Sequence, residues 1–365
     1  MFKVVYDYQV FEWQKYGGVS RYIYEIASYL SHQKALEVEI LALAHINEYL
    51  KNGDPGFITG FSVPNINKTG RIKRGFNANL SRAILRYSPP NIIHKTYYQP
   101  HQLAPKNTKV VTTIHDMTHE KFSQYFPDQR DSRNKAKSAA LADHIICVSQ
   151  NTKKDLIELF DIDPNKISVV YLGSSLTPTY DQTSNLEKTV PYILFVGDRD
   201  GYKNFQRLLQ AYASSSQLKR DFKLICFGRK PLSSDELNLI HELGLPEGQI
   251  LQVSGDDKAL TRYYQGASAL VYPSLYEGFG IPLIEAMSLG CPVACSNVSS
   301  LPEVAENAAE LFDPYQPESI MTALENVLYS SLRAEELIHL GNERAKKFTW
   351  KICAEQTYAV YCSLL

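Results

Sequence analysis

Short apolar runs and helical patterns alternate along this chain, and the alternation stops once and then restarts. In the first half, the runs at 3–6, 37–42, 91–94, 110–114, 144–148 and 168–171 read as strands, with helical patterns at 20–31, 131–141 and 152–160. An aperiodic polar stretch from Ser174 to Lys188 follows and reads as an interdomain linker. Strand-like runs return at 192–196, 222–227, 250–253, 269–272 and 293–295. Helical patterns accompany them at 204–213, 317–329, 332–347 and in a last segment at 349–365. A run such as Ala269-Leu270-Val271-Tyr272, apolar throughout and ended by Pro273, suits a strand covered on both faces. Such alternation builds a parallel sheet between layers of helices. The interruption divides the chain into two α/β domains, 1–184 and 185–348, a division that suits 365 residues.

The most informative segment is Ser274-Leu275-Tyr276-Glu277-Gly278-Phe279-Gly280-Ile281-Pro282-Leu283-Ile284-Glu285-Ala286-Met287. It reads as a strand end, a glycine-rich turn and a helix start. Gly278 and Gly280 permit close approach of backbone to a ligand and positive φ without steric cost. Pro282 suits a first helical turn, where no backbone donor is needed. The unpaired N–H groups around Gly278, Phe279, Gly280 and Ile281 make an anion site suited to a phosphate or diphosphate. Glu277 and Glu285 beside such a site are electrostatically awkward unless they grip hydroxyls. A sugar and a ribose would supply them.

The spacing of Glu277 and Glu285, framed by Glu-Gly-Phe-Gly and followed by Ala286-Met287, Gly290 and Pro292-Val293, resembles the signature of the retaining glycosyltransferases of family 4. The resemblance implies a GT-B fold: two Rossmann-like doubly wound domains facing across a cleft, with a C-terminal helix (349–365) crossing back to the N-terminal domain. It implies that Glu277 contacts hydroxyls of the donor sugar, that Glu285 binds the nucleotide ribose, and that the turn between them holds the diphosphate. It also implies transfer of a hexose from a UDP-glucose or GDP-mannose type of donor to a saccharide or lipid-linked acceptor. The alternative on the same fold is a nucleotide-sugar epimerase or a phosphorylase.

Three further segments carry chemistry. In Val196-Gly197-Asp198-Arg199-Asp200-Gly201-Tyr202-Lys203-Asn204, a strand ends in Gly and a short loop supplies two cations. Arg199 and Lys203 can neutralise charge on a departing diphosphate, and Asn204 is positioned to cap the next helix. The family carries a similar Gly-Arg-…-Lys arrangement, although Arg here comes one place late. Gly17 and Gly18, in Tyr16-Gly17-Gly18-Val19-Ser20, follow the first strand and resemble the family's Gly-Gly loop, with Ser20 as a helix cap. His115 and Asp116 end the strand Val110-Val111-Thr112-Thr113-Ile114. The resemblance places His115 near the anomeric carbon, with Asp116 orienting its ring or accepting from a substrate hydroxyl. His94 ends another strand and is a candidate for the acceptor side.

No metal is expected. Asp198-Arg199-Asp200 spells a short Asp-x-Asp that recurs by chance at Asp161-Ile162-Asp163, and a helix N-terminus with Lys and Arg can hold phosphates unaided. No cofactor is expected either; the nucleotide sugar is a substrate. The net charge of -1 gives no drive toward nucleic acid. The direct entry into a strand at Phe2, free cysteines and the lack of a long apolar segment suggest the cytosol. The acid-free basic stretch 68–86 offers a peripheral contact with the inner face of a membrane.

Overall fold

The computed structural model describes residues 1–66, 70–99, 103–178, 190–199 and 201–365. It contains two compact units: Met1–Gly173 together with Trp350–Leu365, and Ser174–Thr349. The expected boundary at 184/185 and most of the expected linker lie outside the described residues. Ser174 already belongs to the second unit, where its N–H donates to the Phe348 carbonyl at 3.3 Å.

The first unit is built on seven parallel strands, β1 (Phe2–Tyr6), β2 (Leu36–His45), β3 (Ile58–Ser62), β4 (Ile92–Lys95), β5 (Lys109–Ile114), β6 (His144–Cys147) and β7 (Ile167–Val169). Their order is β3-β2-β1-β4-β5-β6-β7. The second unit repeats the plan with six, β8 (Tyr192–Val196), β9 (Lys223–Phe227), β10 (Ile250–Val253), β11 (Ala269–Tyr272), β12 (Val293–Ser296) and β13 (Glu310–Phe312), ordered β10-β9-β8-β11-β12-β13. Val4, Ile93, Val111, Leu194 and Val271 on the central strands are at most 2% exposed, as a sheet covered on both faces requires.

Each sheet winds one way from its first strand and then reverses, between β1 and β4 in one unit and between β8 and β11 in the other. Loops leaving the carboxyl ends of strands diverge at such a reversal and leave a crevice for ligands. In the second unit those are the loops carrying Lys203 and Glu277. Topology alone brings the two segments together.

The terminal helix Trp350–Ser363 belongs to the first unit, packed beside the helix Gly18–Ser31. A buried chain of hydroxyls fastens it. The Tyr361 hydroxyl meets that of Tyr6 at 2.9 Å and His94 Nδ1 at 2.5 Å; His94 Nε2 meets Thr113 Oγ1 at 2.8 Å, and Thr113 meets the Tyr22 hydroxyl at 3.0 Å. Both ring nitrogens of His94 are therefore occupied, and burial pushes its imidazole down to about 3. His94 is a neutral structural residue, which corrects its candidacy for the acceptor side.

Candidate functional site

The second unit's site begins with the loop Pro273–Gly280. Its Glu277 carbonyl accepts from Ser299 Oγ at 2.6 Å and from Ser300 Oγ at 3.0 Å, while Ser300 Oγ also donates to the Phe279 carbonyl at 2.9 Å. The Glu277 N–H returns a bond to Ser299 Oγ at 2.9 Å. The Phe279 side chain is buried and meets the Phe348 ring edge-on at 5.6 Å, so it anchors the loop. The left-handed conformation falls on Gly280 (φ 106°), where a Cβ would also meet Leu301 Cδ2 at 2.8 Å. Gly280 is the N-cap of the helix Ile281–Ser288, and Pro282 sits in its first turn. Among the described residues, no protein acceptor meets the Gly280 or Ile281 amide.

Lys203 comes to this loop from across the sheet reversal. Its Nζ lies 2.6 Å from Glu277 Oε1 and donates to the Tyr272 hydroxyl at 3.3 Å. The Tyr202 carbonyl, one residue earlier, accepts from the Leu275 N–H at 2.8 Å and fixes one loop to the other. Burial first, then the Glu277 charge, holds the Tyr272 hydroxyl well above its ordinary pKa, so it stays a neutral donor.

Glu285, in the second turn of the same helix, is 6% exposed and accepts from the Tyr264 hydroxyl at 3.0 Å. Burial and the Glu285 charge together keep Tyr264 protonated. The helix is braced from behind by Ser331–Ala345, where Gly341 lets the two approach; a Cβ there would sit 3.0 Å from Met287 Cγ. Arg344 of that bracing helix donates to the Val304 and Glu303 carbonyls at 2.8 Å each.

In the first unit, the helix Gly18–Ser31 starts at Gly17. A Cβ at Gly17 would collide with the Gln14 side chain at 2.3 Å, whereas one at Gly18 would meet nothing within 4 Å, so Gly18 borders open space. His115 presents its ring edge-on to Tyr22 of that helix at 5.2 Å. Burial lowers its pKa to about 4; Asp116 opposes this and the nearby Lys135 cation adds to it. Asp116 accepts from the Thr118 N–H at 3.0 Å and lies 3.7 Å from Lys135 Nζ. Burial would raise its pKa, but Lys135 and the Thr118 amide carry it below the usual carboxylate range.

The second half, residues 177–346, matches the family model described as "Glycosyl transferases group 1", and residues 16–177 match "Glycosyltransferase Family 4". The O-antigen chain mannosyltransferase B of Escherichia coli is 33% identical over 291 residues, 75% of this chain and 73% of that one. The chain belongs to glycosyltransferase family 4. The O-antigen chain mannosyltransferase RfbU of Salmonella typhimurium is 25% identical over 85% of this chain and 87% of its own. Among solved structures, sucrose-phosphate synthase of Thermosynechococcus elongatus superposes with a TM-score of 0.77 at 20% identity, covering 99% and 98% of the two chains. The family 4 chain is thus a glycosyltransferase, an enzyme of the transferase class, with the GT-B fold expected from its sequence.

Several expectations need correction. Arg199, expected on the diphosphate, has a buried side chain spent on another helix: Nε donates to Glu236 Oε1 at 2.8 Å and Nη2 to the Lys230 and Pro231 carbonyls at 2.9 and 2.7 Å. Of its three guanidinium nitrogens, Nη1 alone has no acceptor among the described residues. Asn204 occupies the N-cap position of its helix without capping it. Its side-chain amide donates instead to the Pro273 and Pro314 carbonyls at 3.0 and 2.7 Å, tying three loops. Ser20 is inside its helix rather than capping it, and its hydroxyl donates back to the Gly17 carbonyl at 3.1 Å. Within the Glu-Gly-Phe-Gly turn, Gly280 and not Gly278 takes positive φ. Asp200, the second acid of Asp-x-Asp, lies outside the described residues.

Sequence reading missed the loop's supports. Ser299 and Ser300 stand just ahead of Leu301-Pro302, a helix-start pattern that could have drawn attention to them. Tyr264 sits at an ordinary amphipathic position and carries no such signal.

Proposed function

We propose that this enzyme transfers a hexose, and specifically mannose, from a nucleotide diphosphate sugar to a saccharide or lipid-linked saccharide of a surface polysaccharide, with retention of anomeric configuration. The names of the two O-antigen mannosyltransferase relatives support the sugar and the product class, which favours a GDP-mannose donor over UDP-glucose. Membership among transferases disfavours the epimerase and phosphorylase alternatives. The observation that carries the reading is the ion pair of Lys203 with Glu277 beside the open amides of Gly280 and Ile281.

In this reading Lys203 and those amides receive the diphosphate, Glu285 accepts from a ribose hydroxyl, and Glu277 accepts from hydroxyls of the sugar. In the first unit, His115 is neutral near pH 7 and Gly18 borders open space. The bond between the anomeric carbon and the diphosphate oxygen breaks with its electron pair going to the phosphate. The acceptor hydroxyl then bonds to the anomeric carbon on the same face of an oxocarbenium-like sugar and passes its proton to the departing phosphate oxygen. A cation and oriented amides supply the charge stabilisation that a metal supplies elsewhere, so the reaction is metal-independent.

A thermal-shift screen of GDP-mannose, GDP, UDP-glucose and UDP tests the donor. The expected result is a larger shift with the GDP pair. A shift with uridine nucleotides alone would reject the mannose assignment, and release of an epimerised sugar without an acceptor would reject transfer.

A further inference from the structure

Tyr272 closes β11 beside the sheet reversal, opposite Cys295 of β12, and it is 2% exposed. Two other buried tyrosines of this unit direct their hydroxyls to backbone: Tyr192 to the Tyr263 carbonyl at 2.9 Å and Tyr212 to the Phe222 carbonyl at 2.6 Å. Tyr272 directs its hydroxyl to the ion pair instead. The Lys203 ammonium lies 5.2 Å from the centre of the Tyr202 ring and 5.5 Å from that of Tyr272, so two aromatic faces bracket the cation. It also donates to the Tyr272 hydroxyl at 3.3 Å.

A phenol that accepts from a cation still has its own proton to donate. Here Glu277 receives it. Burial first, then the Glu277 charge and a hydrogen bond to Glu277, keep that proton on the Tyr272 oxygen. The hydroxyl therefore stands between the two charges, accepting from one and donating to the other. Its hold on Glu277 is redundant while Lys203 Nζ sits 2.6 Å from Glu277 Oε1. It becomes decisive once the cation turns away, because a largely buried carboxylate without its lysine, beside an incoming polyanion, is driven outward unless another donor holds it.

We propose that Tyr272 is a positioning residue for the donor sugar: when Lys203 turns to the diphosphate, the Tyr272 hydroxyl keeps the Glu277 carboxylate in place for the sugar hydroxyls. This rests on the donor site proposed above. A phenylalanine at this position keeps the ring against Lys203 and removes only the hold on Glu277. The sugar end of the ligand feels that loss and the nucleotide end does not.

Titration calorimetry with GDP-mannose and with GDP, on the full chain and on Tyr272→Phe, Glu277→Gln and the double variant, tests this. Tyr272→Phe should weaken GDP-mannose binding about ten-fold, as for a lost hydrogen bond to a charged group, and leave GDP binding within about two-fold. In the Glu277→Gln background the same substitution should weaken GDP-mannose by less than about two-fold, because the group it acts through is gone. Retained GDP affinity also establishes that each variant is folded. The proposal is overturned by equal loss of both ligands in Tyr272→Phe, by unchanged GDP-mannose affinity, or by additive losses in the double variant. A parent that binds UDP-glucose and UDP but neither guanosine ligand would overturn the mannose assignment alone, and the same cycle with the uridine pair then decides the role of Tyr272. A parent that binds no nucleotide would overturn the donor site and this inference together.

Discussion

Lys203 Nζ stands 2.6 Å from Glu277 Oε1, two residues brought from opposite sides of the sheet reversal into one ion pair. Each side chain is about one-seventh exposed, at 14% and 13%, so neither charge is easily left alone. In the proposed function a diphosphate arriving here would compete with Glu277 for the lysine, the ion pair would be the resting state, and removing one member would free the other.

Glu277→Ala should lower kcat/KM by on the order of 10²-fold, because the sugar loses its hydroxyl acceptor. Affinity for the free nucleoside diphosphate should hold or rise, since Lys203 no longer has a competing anion. Steady-state kinetics alongside calorimetry would separate the effects. A parallel loss of both would mean that Glu277 merely supports the loop.

Replacing Glu285 with Ala should weaken nucleotide binding by roughly 1–3 kcal/mol, as expected for a ribose hydroxyl bond in a dry site. Tyr264→Phe, which removes one donor to Glu285, should cost about 1 kcal/mol of the same binding. Unchanged calorimetric affinity in Glu285→Ala would remove the ribose assignment.

Ser300→Ala removes donors to the Glu277 and Phe279 carbonyls. Stability should fall by about 1–2 kcal/mol in urea titration, and nucleotide binding should weaken as the loop loosens. A loss of stability with binding intact would show that the loop keeps its shape without the clamp.

His94 and His115 have pKa values lowered to about 3 and about 4, against 6.5 in the unfolded chain. The unfolded state binds more protons, so stability is full above about pH 6.5 and falls as the pH drops through the range down to those values. For His94 the full effect is on the order of 5 kcal/mol. Urea midpoints should fall from pH 7.5 to pH 5, and His94→Gln should flatten that slope. A slope equal to the parent's would place the acid sensitivity elsewhere.

Much of this was legible in the sequence because buried parallel strands leave an unmistakable apolar run. The strands at 192–196 and 269–272 coincide with β8 and β11. β3 and β13 were missed: β3 is an edge strand with four of its five residues exposed, and β13 has three residues, so neither carries a buried run. The start of the helix Ile281–Ser288 was legible because Gly280 and Pro282 constrain a strand-to-helix turn locally. Arg199 failed for a different reason. Its destination was decided by Glu236, thirty-seven residues away, and no local pattern encodes that partner. The hydroxyls of Ser299, Ser300 and Tyr264 are likewise supplied by tertiary neighbours.

Calorimetric comparison of a nucleoside diphosphate with its monophosphate, in the parent and in Lys203→Met, tests the central assignment most directly. The parent should bind the diphosphate at least about ten-fold more tightly, and Lys203→Met should erase most of that preference while leaving the monophosphate affinity near the parent value. A diphosphate preference that survives intact in Lys203→Met would contradict the assignment of this loop pair as the pyrophosphoryl site.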